Sequence, residues 1–275
     1  MKNIYAVQSE TELSALQSFA LEIKSELDLY LSFLKDNYQT VDLPRCIVWT
    51  DYETATNSIS DLPLPAYTND YRTVMVPDLD VWKRIYLRQL DAYEENDSTR
   101  KVRQFYQNLN KNSILQILGH EMAHHSDLFL DEAYEEAMWF EEGMVEYISR
   151  KYFLTKEEFV AEEEVNRLLV ELYEDRNGIS DLNDFSASTY QKNISGVLYA
   201  YWRSYLAVQK IIDASKGDVA SVFASYHRWF ERGRKQPLMT WFANCVSFEN
   251  RKQEDETKCT ALDTDACPDR AENAG

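Results

Sequence analysis

His120-Glu121-Met122-Ala123-His124 is an HExxH run. On a helix, residues four apart lie one above the other, so His120 and His124 aim two imidazoles at one point. Zinc takes neutral imidazole nitrogen well, and a catalytic zinc site keeps one position open for water. Glu121 sits one step round the same helix, within reach of such a water without ligating the ion. Two histidines on one helix also suit a purely structural role, so the remainder of a site has to be sought elsewhere in the chain.

Downstream stands Trp139-Phe140-Glu141-Glu142-Gly143-Met144-Val145-Glu146-Tyr147. Two imidazoles do not close a catalytic zinc site, and a carboxylate on a second helix is one standard third ligand. Seventeen residues separate His124 from Glu142, enough for one helix to end, turn and return. Glu141 and Glu142 differ by about 100° in helical phase, so only one of them is expected to face the ion. Glu146, four residues on from Glu142, shares its face and is placed to accept the free N–H of a ligating histidine. Such outer carboxylates fix the imidazole tautomer and raise ligand basicity. His125 projects off the HExxH face and reads as a solvated or hydrogen-bonded residue. Asp127 reads as a helix-end residue, and Glu132, Glu135 and Glu136 as a solvated face.

An HExxH followed, after such a gap, by an aromatic pair, Glu-Gly and an aromatic resembles the gluzincin (peptidase MA-like) metallopeptidases. Within them it is similar to the aminopeptidase N-like branch, whose pattern is Trp-Leu-x-Glu-Gly-Phe-Ala-x-Tyr. The likeness covers about residues 114–150. It implies His120, His124 and Glu142 as zinc ligands, Glu121 as general base, and Glu146 in the outer position. It also implies a thermolysin-like zincin domain in which a sheet edge strand pairs with extended substrate. The gap is one residue shorter than in that branch, and the exopeptidase Gly-x-Met-x-Asn signature is missing upstream. Endopeptidase action is therefore expected over aminopeptidase action. Peptide hydrolysis also needs a donor for the developing oxyanion. The branch uses a Tyr in Tyr-x-Lys-Gly, which Tyr201-Trp202-Arg203-Ser204 resembles loosely; Tyr201 is the candidate, then Tyr199 and Tyr205, with His227 as a thermolysin-like alternative.

The chain has 275 residues, 18 Tyr, 12 Phe and only 7 Gly, a profile of a helix-rich globular protein. Lys plus Arg number 29 against 47 Asp plus Glu, a net charge of −18. That field repels phosphate backbones and anionic lipid, so nucleic acid and membranes are not expected as partners; peptide or protein substrates are what the resemblance implies. The N-terminus lacks the apolar core of a secretion signal, and Cys46, Cys245, Cys259 and Cys267 have neither zinc-finger spacing nor a dense disulfide pattern. A cytoplasmic location follows as the expectation, with a Cys259–Cys267 bridge left open.

Ser9-x-x-Glu12 and the apolar spacing from Leu13 to Leu34 predict one helix over 10–37. Strands are expected at 43–49 and 71–76, the latter as the strand beside the cleft. Helical periodicity resumes at Val81, Ile85 and Leu90, and Ser113 is the expected cap of the HExxH helix. Further helices are expected at 133–152, 156–174, 194–214, 218–231 and near 237–247. The expected class is α+β and mostly helical. One domain would cover 1–250, with a strand-containing lobe over about 1–112 and a helical lobe over about 113–250. The acidic segment 251–275 reads as a disordered tail. Two functional classes fit: a zinc-dependent peptidase, and a binding or regulatory protein that keeps the metal site without turnover.

Overall fold

Ser9 caps the first helix as its pattern predicts, its side chain accepting from the Glu12 N–H at 3.2 Å. The helix expected over 10–37 arrives as two, α1 (Glu10–Glu22) and α2 (Lys24–Tyr38), which meet at the fully buried Ile23. No glycine or proline marks that joint, and the apolar spacing runs through it, so the sequence carries no sign of the break. These observations come from a computed structural model, which describes residues 1–60, 62, 64–191 and 193–245. The proposed tail over 251–275, with Cys259 and Cys267, lies outside the described residues.

The chain is mostly helical (68 %) with one small sheet, so the helix-rich α+β class stands. Strands β1 (Lys2–Ala6), β2 (Cys46–Thr50), β3 (Ala66–Thr68) and β4 (Arg72–Met75) lie in the order β1-β2-β4-β3. β1, β2 and β4 run parallel, and β3 is antiparallel to β4. β2 and β4 are covered on both faces, from Ile47 to Thr50 and from Thr73 to Met75, which is why they read as apolar runs. The expectation for 71–76 needs correction: β4 is an interior strand, and the edges are β1 and β3. β3 is three residues long and β1 is largely exposed, so neither carries a periodic signal.

Helices α3 (Leu79–Arg88) and α4 (Asp97–Gln107) follow, capped by Asp78 and Asn96. α5 (Lys111–Ala123) carries the HExxH run and ends at His124. Its cap is Asn110, not Ser113. The Asn110 side chain accepts from the Asn112 N–H at 2.8 Å, while Ser113 returns a bond to the Asn110 N–H at 3.3 Å. Ser113 is thus the third residue of a capping box and not its first. From Ile114 on, only Ile117 of α5 is not buried, the pattern of a helix enclosed on nearly every side.

α6 (Tyr134–Phe153) carries the glutamates, and α7 (Lys156–Asn177) and α8 (Ile194–Ala214) pass the expected positions. Two glycines set the approach distances. A Cβ on Gly119, the residue before His120, would lie 2.6 Å from Phe153 and 3.0 Å from Tyr30. A Cβ on Gly143, the residue after Glu142, would lie 2.4 Å from the Ser204 carbonyl oxygen. Backbone cannot yield there as a side-chain tip can, so Gly143 is what lets α6 lie against α8 at this point.

The described residues divide into two compact units, one through Lys210 and one from Ile211 on. The second is built on α9 (Val219–Glu231), with Val222, Phe223, Tyr226 and Trp229 buried, and on helical residues 238–245. Among the described residues no helix is long and apolar enough to cross a membrane, and Cys46 and Cys245 are free thiols.

Candidate metal centre

His120 Nε2 and His124 Nε2 face each other at 3.2 Å across one turn of α5. Glu142 Oε2, delivered by α6, completes a triangle at 3.3 Å from His120 Nε2 and 3.5 Å from His124 Nε2. A tetrahedral ion with bonds of about 2.0–2.1 Å spaces its ligand atoms roughly 3.3–3.4 Å apart. The triangle therefore has the size of one face of such a tetrahedron. Glu142 is 2 % exposed, and its Oε2 is buried with no hydrogen-bond partner. Two imidazole nitrogens converge with this buried carboxylate oxygen, and among the described residues these three side chains form a group that could hold a metal ion.

The electrostatics agree. Burial raises the Glu142 carboxyl, yet the two imidazoles hold it well below the ordinary carboxylate range. Burial opposes a charge on His120, but Glu146 and Glu142 carry its pKa up to about 9. His124 moves upward for the same reason, against its own burial. A field that favours a proton on these nitrogens equally favours a metal cation.

The outer groups differ in part from expectation. Glu146 Oε1 lies 3.3 Å from His120 Nδ1, the placement read from its spacing. Its other oxygen meets Arg150 at 2.9 Å and Gln116 at 3.4 Å. Glu141, expected to face away, instead holds His124 Nδ1 at 2.8 Å. The two adjacent glutamates do point in different directions. An imidazole offers nitrogens on two sides, however, and Glu141 and Glu142 approach His124 from one side each.

Tyr190 is the member that sequence reasoning missed. Its hydroxyl donates to Glu142 Oε1 at 2.7 Å and is 2.8 Å from the Tyr201 hydroxyl. A carboxylate can only accept, so the Tyr190 proton goes to Glu142 and the Tyr201 proton to Tyr190. Tyr190 thereby ties down Oε1 and leaves Oε2 facing the two imidazoles. It sits on a short turn of helix, Ala187–Gln191, among 18 tyrosines, and no local pattern distinguishes it.

Glu121 is 7 % exposed and lines the same cleft of about 290 Å³ as His120, His124, Glu142 and Tyr201. Burial raises its pKa to about 7. Its carboxyl group makes no hydrogen bond among the described residues. The Tyr201 ring lies 5.8 Å from that of His120. Tyr199 turns away, stacking on Tyr173 at 4.1 Å and donating to Glu174 at 2.7 Å. Tyr205 is fully buried, with Arg150 4.0 Å above its ring. His227 belongs to the second unit, beside Tyr226 on α9. His125 bonds Thr68 of β3 at 2.9 Å, a hydrogen-bonded role of the kind expected. Asp127, Glu132, Glu135 and Glu136 are exposed.

Removing an outer partner of a metal ligand costs roughly 10–100-fold in affinity. Tyr190→Phe and Glu141→Ala are each expected to weaken zinc binding by roughly tenfold, read by competition with a chromophoric chelator. Unchanged affinity in both would mean that these contacts do not orient Glu142 and His124.

No family model, curated protein sequence or solved structure matches this chain.

Proposed function

We propose that the chain is a zinc-dependent metallopeptidase that hydrolyses peptide bonds, built on a thermolysin-like zincin domain. The observation that carries this reading is the triangle of His120, His124 and Glu142 with the unengaged Glu121 in the same cleft. Two imidazoles and one carboxylate form a zinc donor set with room for a further ligand. Zinc, when bound, supplies Lewis acidity: it makes water acidic near neutral pH and polarises a carbonyl oxygen.

The remaining work belongs to side chains. Glu121 accepts the proton of the attacking water and returns it to the departing amine as the C–N bond breaks. Its buried position keeps its basicity above that of an ordinary carboxylate. Tyr201, at the cleft wall, donates to the developing oxyanion once its hydroxyl leaves Tyr190. Glu146 and Glu141 keep the two imidazoles in the tautomers that present Nε2. The β3 edge borders the cleft through Ala66, Tyr67 and Thr68, and its free side offers main-chain bonds to an extended peptide.

Endopeptidase action is the form proposed, because an edge strand grips a chain on both sides of the scissile bond. The test is a peptide library digested by zinc-loaded protein, with chelator and N-acetylated controls. Cleavage that zinc restores after chelation and that survives acetylation is expected. Loss of all cleavage on acetylation would make the enzyme an aminopeptidase. Zinc uptake without cleavage of any peptide would assign the site to binding or regulation.

A further inference from the structure

Strand β3 has three residues and pairs on one side only, with β4. That pairing fixes which of its main-chain groups turn outward. The Asn69 N–H donates to the Arg72 carbonyl and the Val76 N–H to the Pro65 carbonyl, each at 3.0 Å. In an antiparallel pair such bonded positions alternate with unbonded ones. Tyr67 is therefore the bonded partner of Val74, while Ala66 and Thr68 turn their N–H and C=O away from β4. Those two residues are the ones able to bond a peptide laid along this edge.

Thr68 also ties the edge to the metal helix. Its Oγ1 lies 2.8 Å from Oγ1 of Thr73, the residue opposite it on β4, and 2.9 Å from His125 Nε2. His125 directly follows the ligand His124, in the turn that ends α5. That turn is braced from behind. The His125 N–H donates to the Met122 carbonyl at 3.3 Å, and the Ser126 hydroxyl donates to the Tyr38 carbonyl at 2.5 Å. The His125 imidazole thus joins a braced turn next to a metal ligand to a strand that few bonds hold. A short strand paired on one side opens locally at low cost. Misplacing a reacting group by about 1 Å can cost about 10²-fold in rate, so the spacing between this edge and the ligands matters.

We propose, on the basis of the peptidase reading, that His125 is a positioning residue: through Thr68 it sets the β3 edge, and with it a bound peptide, in register with His120, His124 and Glu142. His125 acts without touching the reacting bond.

The experiment compares a long peptide with a short blocked one that carries the same scissile bond and ends at the residues flanking it. Only the long peptide can pair with Ala66 and Thr68. His125→Ala is expected to lower the long-to-short ratio of kcat/KM by roughly tenfold, the effect of about one lost hydrogen bond, with the loss falling mainly on KM. His125→Gln, whose amide nitrogen reaches about as far as Nε2, is expected to restore most of the ratio. Thr68→Val keeps the branched shape and removes the hydroxyl. It is expected to match His125→Ala, and the double variant to lose no more than either alone. Calorimetric binding of the long peptide to zinc-loaded Glu121→Gln protein is expected to weaken in parallel when His125→Ala is added, and zinc titration checks that the ligands are undisturbed. A merely structural role would lower both peptides alike and would not be repaired by glutamine. That result, or a ratio that His125→Ala and Thr68→Val leave unchanged, overturns the proposal and leaves the peptidase reading standing. If no peptide is cleaved, the peptidase reading falls and the calorimetric series decides. Affinity for the long peptide that drops with His125→Ala and returns with His125→Gln supports the positioning role; equal affinities, or no binding, overturn it. Should the His125→Ala chain fail to fold, Thr68→Val carries the same comparisons.

Discussion

Glu121→Gln is expected to leave folding and zinc uptake intact while lowering peptide hydrolysis by roughly 10²–10⁴-fold. Glutamine fills the same volume, so the buried position is not emptied. Burial already disfavours the Glu121 charge, and a neutral amide removes that penalty, so stability should hold or rise slightly. The carboxylate is not one of the three converging ligands, so metal affinity should change little. Only the proton transfers disappear. Zinc content, far-ultraviolet circular dichroism and turnover of one validated peptide check the three statements together. A Gln variant that cleaves at near wild-type rate would exclude Glu121 as the base.

Glu142→Ala is expected to reduce zinc affinity by roughly a hundredfold or more, beyond the 10–100-fold range for an outer partner. The change removes the carboxylate oxygen that faces both imidazoles and strands the Tyr190 hydroxyl that donated to it. The effect also appears as stability. A ligand present at a thousand times its dissociation constant adds about 4.1 kcal/mol to the folded state. Zinc should therefore raise the melting temperature of the wild-type chain and chelator lower it, whereas the Glu142→Ala chain, its affinity about a hundredfold lower, should keep only about a third of that stabilisation. A wild-type melting temperature indifferent to zinc and to chelator would mean that the triangle does not bind the ion.

Much of the candidate centre could be read before any tertiary contact was known. The shared faces of His120 and His124, and of Glu142 and Glu146, follow from a repeat of about 3.6 residues per turn acting within single helices. The class of the fold was legible in the same way, through apolar spacing along most of the helices, α4 excepted, and through the two covered strands β2 and β4. Local geometry could not rank Glu141 against Glu142, because phase says only that they diverge; the angle at which α6 meets α5 gives one of them to each side of His124.

Tyr190 lies 48 residues from the carboxylate it holds, and His125 lies 57 residues from the Thr68 hydroxyl it meets. Neither relation leaves a period or a motif in the chain. The break at Ile23 and the edge position of β3 are equally silent, since burial against neighbours decides both. What sequence alone determined was whatever one helix or strand imposes on itself through covalent geometry. The identity of the third ligand's partners and the edge that borders the cleft were decided by packing, because they join surfaces whose approach distances depend on residues such as Gly119 and Gly143, remote in the chain from the side chains they accommodate.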